Sequence, residues 1–572
     1  MRPLLLLILA TTAIRLAFGL AIGLGVDESY MVSAGRTLTL GYFDHPPAAW
    51  WLSWASTHLL GTEATLAARL PFILLFALTT WLIARIGEDL AGPKAGYWAA
   101  ATLNLSPVFG VTGGSWVLPD GPLDCALAGA ALCLTRALPA RDRAAWGYWC
   151  GAGLCAGLAM FSKYSAVLTI GGAFLFLLID PTHRGWLSRP HPYAAAALAV
   201  LVFAPVIAWN ATHDWASFAF QGARAGGFRF RPWLTLTTLA GEAAFILPWF
   251  WLPMIVLGVR ALAPSSWPTL SSPWSGSSSS WPRLSSLWPR LSSSWPRLSS
   301  WWPRVSSSWP RFSSSWPGST GPSGAVRPDA QAAGAPTQAA PPHRMARSNR
   351  AMTERGTARL LACLAAPPIV LFVLIAATSS QRVLFHWAAP GYLMLFPLLG
   401  TWVARDIGQA SLRRAIAVTA ALTLVAMGVV SAQTRLDLFG AFMPAKDPTA
   451  EGIDWTSLRD DLAARGLLPQ GVVVGVPNWR DAGKIARALG PEIATICLNP
   501  DARNFGLATP ASHWSGATVL ILAVGANGTA NPSLQTQFDR IEPLPPSTVT
   551  LRGRTVLQIA VARGIGLKPQ AE

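Results

Sequence analysis

Charged side chains are scarce in this chain. Asp, Glu, Lys and Arg make up 12% of its 572 residues, while 52% of the residues are hydrophobic. That charged share is roughly half the share found in soluble proteins, and apolar runs long enough to cross a bilayer recur along the sequence. The composition excludes an ordinary soluble protein. It predicts a polytopic α-helical membrane protein, with a small soluble α/β domain at its C-terminal end.

Cysteine is also rare, and its placement gives no sign of a disulfide framework. Five of the six cysteines lie in apolar runs and one lies in the polar C-terminal region: Cys125, Cys133, Cys150, Cys155, Cys363 and Cys497. A clear cleavage site is missing after the first apolar run as well. We therefore interpret that run as a retained span and not as a removed signal peptide.

Acidic residues are outnumbered by basic ones, which gives a formal net charge of +17. Such a charge suggests a nucleic-acid partner at first, but the excess arginine lies in short loops and in one repeat. This distribution is typical of positive charge kept on the cytoplasmic side of a membrane. We therefore expect membrane lipid as a partner and no nucleic acid.

Hydropathy predicts about eleven spans. Their approximate limits are 3–25, 66–84, 95–112, 121–136, 146–161, 163–179, 193–210, 237–258, 358–377, 387–404 and 415–432. A single long helix across 146–179 is the alternative at that point, and it would reverse the orientation of everything after it. The distribution of Arg and Lys places Met1 inside and, with an odd number of spans, residues 433–572 outside.

The spans divide into two blocks, 1–260 and 358–435, around a low-complexity linker at 261–357. Tryptophan recurs in this linker every seven residues, and proline in nearly every unit excludes a coiled coil. We expect a disordered or polyproline-like cytoplasmic arm. It could dock on the anionic inner membrane surface, or it could be a tandem expansion of coding DNA without a selected role.

Residues 447–565 form the predicted α/β domain. Strand-like runs lie at 471–476, 494–498, 518–524 and 556–561, with helical spacing over 481–489. Strands that alternate with a helix predict a partly parallel sheet. The turn after residue 524 has neither the lysine nor the following helix of a phosphate cradle.

Unusual polar residues collect at the predicted outer ends of the spans, beginning with the adjacent carboxylates Asp27 and Glu28. An ionisable pair at membrane depth suggests a function, although it could also mark the polar end of a span. A carboxylate in a low-dielectric setting beside a like charge is suited to general base catalysis. Asp44 and His45 follow on a loop restricted by Pro46 and Pro47. They could orient a substrate; a divalent metal is less favoured, because one histidine and a few acids are too few ligands.

Five further residues share this face in the predicted topology. Asp120 could cap a helix, and Lys163 could snorkel to the interface or bind phosphate. Arg382 and His386 could be an ordinary span end or, with Lys163, could hold a phosphate leaving group. His213 fits a structural loop better than a site. Together these groups suggest transfer from a lipid-linked phosphate, in which cations neutralise the departing phosphate.

The motifs at these positions resemble the dolichyl-phosphate-mannose–protein mannosyltransferase-like family. This is glycosyltransferase family 39 of the GT-C class, including its bacterial members, and the layout is similar to that of lipid A aminoarabinose transferases. The resemblance covers roughly 1–260 and 358–510. It rests on Asp27-Glu28, Gly41 through Pro47, Pro119-Asp120, Ser162-Lys163-Tyr164, Trp209-Asn210 with His213, His386-Trp387 with Pro390, and Asn499 through Phe505.

The resemblance implies a metal-independent, inverting transfer of a hexosyl or pentosyl group from a polyprenyl-phosphate sugar to an acceptor protein, lipid or glycan. It implies Asp27 as the base with Glu28 as its partner, and Lys163, His386 and Arg382 as donor-phosphate contacts. Asp44, His45, Asp120 and His213 are expected on the substrate loops. The expected location is a bacterial inner membrane, with the C-terminal domain outside the cytoplasm.

Two other functions compete with this one. A transporter or flippase of lipid-linked sugars should show repeated halves and spans broken near the midplane, whereas the polar residues here gather at one face. A sensor that binds its ligand in the α/β domain would leave about eleven spans and the acid pairs unexplained.

Overall fold

The computed structural model of the chain describes residues 2–223, 229–263, 342–379, 383–444, 447–525 and 528–569. The helices are α1 (Arg2–Ala21), α2 (Val26–Ala34), α3 (Ala48–Leu59), α4 (Thr65–Ala91), α5 (Pro93–Leu105), α6 (Asp120–Ala137), α7 (Asp142–Ser162), α8 (Ala166–Ile179), α9 (Pro190–Ala211), α10 (Ala216–Ala223), α11 (Pro232–Ile246), α12 (Pro248–Leu262), α13 (Pro342–Thr378), α14 (Ala389–Leu393), α15 (Phe396–Asp406), α16 (Ala410–Leu436), α17 (Thr456–Ala464), α18 (Trp479–Leu489), α19 (Phe505–Ala508) and α20 (Pro532–Gln535).

The predicted polytopic helical fold is confirmed, and each predicted span coincides with helix. Among the described residues, six helices are long and apolar enough to cross a membrane alone, and two bent pairs bring this number to eight. The pairs are α11 with α12, bent by 109°, and Phe385–Leu393 with α15, bent by 65°. The other three predicted spans correspond to the shorter or less apolar helices α5, α6 and α8. The chain is thus a multi-pass membrane protein, and a count of eleven stays a prediction.

The break predicted inside 146–179 is present, because α7 ends at Ser162 and α8 begins at Ala166. The tryptophan repeat lies outside the described residues. Helix α13 begins at Pro342, so the last part of the predicted disordered linker is helical. Arg, Ala and Met are frequent there, and all three favour helix.

The C-terminal domain contains one five-stranded sheet with the order β2-β1-β3-β5-β4. Its strands are β1 (Val473–Val476), β2 (Ala494–Cys497), β3 (Val519–Val524), β4 (Phe538–Leu551) and β5 (Arg554–Leu567). Strand β1 is parallel to β2 and β3, while β5 is antiparallel to β3 and β4. The predicted partly parallel sheet is therefore present. Strand β4 was not predicted, because its three prolines indicate a loop; it lies at the edge of the sheet, where proline is tolerated.

Helices α2 and α3 pack into the core of the C-terminal domain. Tyr30 and Trp50 belong to the same buried hydrophobic cluster as Leu458 and Ile485 of that domain. Gly483 on α18 allows the closest approach, since a Cβ atom there would lie 2.7 Å from the backbone of Tyr30. The domain is therefore seated directly on the segment that follows the first span.

Two adjacent glycines of α8 allow a test of helix packing in the membrane region. A Cβ atom at Gly172 would lie 2.7 Å from Leu364 Cα of α13, whereas one at Gly171 would meet nothing within 4 Å. We expect Gly172→Ala to destabilise the fold by about 1–3 kcal/mol, because the extra methyl group forces two backbones apart. Thermal unfolding in detergent measures the effect.

Gly171→Ala is the matched control. Alanine favours an exposed helix position by up to about 1 kcal/mol over glycine, so this change should leave stability equal or higher. Equal melting points for the two variants would contradict the packing described here.

Candidate active site

The site is built around a buried ion pair at the end of the first span. Glu28 is 2% exposed, and Arg69 of α4 donates to its two carboxylate oxygens at 2.7 and 2.5 Å. The backbone N–H groups of Gly25 and Val117 donate to the same carboxylate at 2.8 and 2.9 Å. Burial alone would raise the pKa of Glu28, but Arg69 and these donors hold it below the ordinary value of 4.5. Glu28 is therefore an ionised anchor that points into the protein.

Arg69 also fixes the end of α1. Its guanidinium donates to the carbonyl oxygens of Gly19, Ile22 and Gly23 at 3.1, 2.7 and 2.9 Å. These carbonyls lie in the last turn of α1 and directly after it, where the helix leaves acceptors without an intrahelical partner. One side chain thus joins α4 to the ends of both α1 and α2.

Asp27 points away from this pair, because successive residues of a helix are about 100° apart. Its side chain is exposed. Desolvation by the surrounding protein nevertheless raises its pKa above the ordinary value; Arg480 and Arg503 act against this shift, while Glu28 and Glu451 add to it. The predicted acid pair therefore consists of two unlike groups, of which only Asp27 is open to a substrate.

A second cluster forms where α6 begins and α7 ends. Lys163 Nζ lies 2.8 Å from Asp120 Oδ1, and the two side chains are 15% and 18% exposed. His386, from the turn Phe385–Ala388, and His45 both interact electrostatically with Asp120. Asp120 is the first residue of α6, and Pro119 occupies the capping position. The structure thus brings together four predicted residues from four separate segments.

The loop that holds Asp44 and His45 links the membrane cluster to the C-terminal domain. Asp44 is buried. It receives a hydrogen bond from the Tyr30 hydroxyl and lies 3.5 Å from Arg503 in the C-terminal domain. His45 interacts electrostatically with Asp120. Asp44 therefore contacts the C-terminal domain, whereas its neighbour His45 interacts with the cluster at the membrane helices.

Arg503 is a site residue that the sequence reasoning did not assign. Its guanidinium lies 4.4 Å from the ring centroid of Phe220 and 4.6 Å from that of Trp479, and it pairs with Asp501 at 2.8 Å. Its φ of 52° is in the left-handed region, where a non-glycine residue is uncommon. The Asn499–Phe505 stretch contributed to the family resemblance, but no local pattern indicates its contact with Asp44.

The C-terminal domain holds both ends of α2. Lys484, which is 3% exposed, donates to the carbonyl oxygens of Leu24, Glu451 and Ile453 at 2.7, 3.0 and 2.8 Å. At the other end, the backbone N–H of Asn504 donates to the Tyr30 hydroxyl at 3.0 Å, and its side-chain amide donates to the Ala34 carbonyl at 2.8 Å. The orientation of Asp27 thus depends on the docked domain.

His213 does not join these clusters. The ring of His213 stacks on Trp209 at 4.2 Å, and its Nδ1 lies 2.8 Å from the Trp209 carbonyl oxygen. These contacts favour the structural-loop interpretation of His213. Arg382 lies outside the described residues. Within the described ranges, no group of three or more His, Cys, Asp or Glu side chains is arranged to hold a metal ion.

Comparison with known proteins gives a match to a family model and a match to a relative. Residues 44–209 match the family model described as dolichyl-phosphate-mannose-protein mannosyltransferase. Lipid A galacturonosyltransferase RgtD of Rhizobium johnstonii is 28% identical over 189 residues. That alignment spans 33% of this chain and 39% of RgtD.

Two structures of ArnT from Cupriavidus metallidurans share the fold. The structure bound to undecaprenyl phosphate has a TM-score of 0.58 at 12% identity, and the apo structure has a TM-score of 0.52 at 13% identity. Each comparison covers 98% of this chain and 97% of the ArnT chain. The resemblance predicted from the motifs is thus confirmed: residues 44–209 match the dolichyl-phosphate-mannose-protein mannosyltransferase family model, and the chain shares the fold of ArnT.

Proposed function

We propose that the protein is a membrane glycosyltransferase that moves a sugar from a polyprenyl-phosphate-linked donor to an acceptor hydroxyl. The observation that carries this proposal is that an open carboxylate, Asp27, lies at the same end of the helical bundle as the cluster of Asp120, Lys163, His45 and His386. The name of RgtD, a galacturonosyltransferase, and the undecaprenyl phosphate bound to ArnT support this class of donor. A uronic acid is one candidate sugar.

Asp27 acts as the general base in this proposal. It takes the proton from the acceptor hydroxyl, the oxygen attacks the anomeric carbon, and the bond from that carbon to the phosphate oxygen breaks. A raised pKa suits this role, because a base is most effective when its pKa approaches the working pH. Attack opposite the leaving group inverts the anomeric centre, as the resemblance implies.

Lys163 and His386 neutralise the departing lipid phosphate, and Arg382 remains a proposed third contact. Asp120 holds the Lys163 ammonium in place at 2.8 Å, and His45 completes the group around Asp120. Positive groups aimed at a developing phosphate charge lower the barrier most where water is excluded.

Glu28, Asp44 and Arg503 are positioning residues in this scheme. The carboxylate of Glu28 accepts hydrogen bonds from Arg69 and from two backbone N–H groups. Glu28 therefore sets the orientation of α2 and makes no contact with the substrate. Asp44 and Arg503 fix the loop that carries His45.

The proposed location of the site is the outer face of a bacterial inner membrane, with the C-terminal domain outside the cytoplasm. The higher density of Arg and Lys in the loops at the opposite ends of the spans supports this orientation. The acceptor is a protein, lipid or glycan that is reached from that side.

A transporter of lipid-linked sugars is the second candidate, and the bends of 109° and 65° in two spans favour it. Transport needs no base at Asp27, whereas transfer does. The chemical product therefore separates the two functions.

The first test is Asp27→Asn. We expect the rate of sugar transfer to fall by about 100- to 10,000-fold, since the variant has no base, while the melting temperature stays unchanged. Purified protein in membrane vesicles receives undecaprenyl-phosphate donors labelled in galacturonic acid, arabinose or mannose, and labelled acceptor is counted.

The control for this test is Asp460→Asn, which removes an exposed carboxylate on α17. Full activity of a folded Asp27→Asn protein would exclude Asp27 as the base. Wild-type protein that moves intact donor across the vesicle without forming product would favour the transporter instead.

Arg503 gives a test of the contribution of the C-terminal domain. Arg503→Gln removes a charged contact to Asp44, so we expect kcat to fall about 10- to 100-fold with little change in the donor KM. Arg503→Lys should recover only part of kcat, because an ammonium group lacks the planar face that lies against Phe220 and Trp479. Arg540→Gln, at an exposed arginine of the same domain, is the control; an equal loss there would contradict the assignment.

The anchor role of Glu28 predicts a change in stability and in its pH dependence. Because the pKa of Glu28 is lowered on folding, its carboxylate stabilises the protein above pH 4.5, and this stabilisation is lost as the pH falls through the folded-state pKa. Glu28→Gln should cost about 3–5 kcal/mol at neutral pH, and the difference from wild type should shrink in acid.

Chemical unfolding at several pH values measures this effect. Glu63→Gln is the control, because Glu63 pairs with Arg36 in a partly exposed bridge and its removal should cost about 0.2–1 kcal/mol. A pH-independent loss in Glu28→Gln would show that the charge of Glu28 is not what stabilises the fold.

A further inference from the structure

A cleft lies where the membrane helices meet the C-terminal domain, and neither Asp27 nor Asp120 is among its lining residues. It has a volume of about 280 Å³, and its lining includes Gly23 after α1, Arg435 near the end of α16, Asp454, and Arg552 between β4 and β5. The cleft therefore lies at the end of two membrane helices and has charged groups in its wall.

Arg552 is held at the tip of the β4–β5 hairpin. Arg552 and Gly553 have φ values of 52° and 86°, the positive pair that a tight two-residue hairpin turn requires. Arg552 Nε donates to the backbone carbonyl of Arg435 at 3.1 Å. Arg554 beside it pairs with Asp437 at 2.5 Å and with Asp447 at 2.8 Å. The tip is thus fixed against the end of α16.

The cleft has an excess of positive charge. Arg435 and Arg552 are both exposed, and within the described part of the chain neither has a carboxylate at ion-pair distance. The side chain of Arg435 donates to the carbonyl oxygen of Leu20 at the end of α1. The negative charge of Asp454 is already neutralised by Arg487, whose guanidinium lies 2.6 Å from its carboxylate. Two guanidinium groups therefore remain without a neutralising partner in the described structure.

An exposed apolar surface adjoins these arginines. It consists of Leu436, Leu438, Phe439 and Phe442, which are 53%, 58%, 40% and 84% exposed. Helices α1 and α16, which lead to it, bury only 17% of their most apolar windows within the protein. Large apolar side chains beside basic ones at the end of a lipid-facing helix are typical of insertion at the bilayer surface.

We propose that this cleft binds the phosphate of an anionic lipid headgroup in the leaflet nearest to the C-terminal domain. Guanidinium groups bind phosphate oxygens through paired hydrogen bonds, and Arg435 and Arg552 present two such groups at the cleft. The acyl chains lie along α1 and α16, beside the four apolar residues. This site is separate from the proposed transfer site, and the proposal stands without any catalytic activity.

The test measures lipid binding by native mass spectrometry of the delipidated full chain. Phosphatidylglycerol and phosphatidylcholine are added in separate titrations. Each arginine at a membrane surface changes the lipid affinity about fivefold, so Arg435→Gln/Arg552→Gln should bind phosphatidylglycerol about 25-fold more weakly than wild type. Phosphatidylcholine, whose headgroup has no net charge, should bind wild type weakly.

Arg540→Gln/Arg563→Gln is the matched control, because it removes the same charge from exposed positions on β4 and β5. It should bind phosphatidylglycerol like wild type. If the cleft double variant does not fold, Arg435→Gln alone replaces it, since the backbone carbonyl that accepts from Arg552 is retained.

Three results would overturn the proposal. The first is equal phosphatidylglycerol binding by wild type and the cleft variant, and the second is an equal loss in the control variant. The third is full displacement of the lipid by inorganic phosphate at millimolar concentration, which would show a site for free phosphate instead of a lipid headgroup.

Discussion

The buried contact between Glu28 and Arg69 is the constraint on which the rest of the site depends. A single buried charge at this position would cost folding free energy. The pair is stable because backbone N–H groups donate to Glu28 and backbone carbonyls accept from Arg69. With Glu28 fixed inward, the geometry of a helix leaves Asp27 facing out. Glu28, the carboxylate that is costly to bury, thus determines the orientation of Asp27.

The site has two halves, one in the membrane bundle and one at the surface of the C-terminal domain. Asp120, Lys163 and His386 belong to the first half, and Arg503 belongs to the second. The loop with Asp44 and His45 touches both. The domain is therefore a structural part of the site and more than a cover over it.

The sequence predicted the helical membrane fold and the partly parallel sheet, and it singled out the polar residues now found around Asp120, because these features depend on local periodicity and composition. It did not identify the partners of those residues. Arg69 is 41 residues from Glu28, and the contact of Arg503 with Asp44 joins distant parts of the chain, so no spacing rule connects them. Strand β4 was missed because proline in an edge strand has the composition of a loop.

The contacts of Asn504 determine when the site can exist. The residue whose hydroxyl it binds, Tyr30, lies 474 positions earlier in the chain. During synthesis from the N-terminus, α2 is made early and its clamp is made near the end. A nascent chain therefore leaves α2 without this clamp until synthesis has passed Asn504, so the order of synthesis delays the completion of the candidate site.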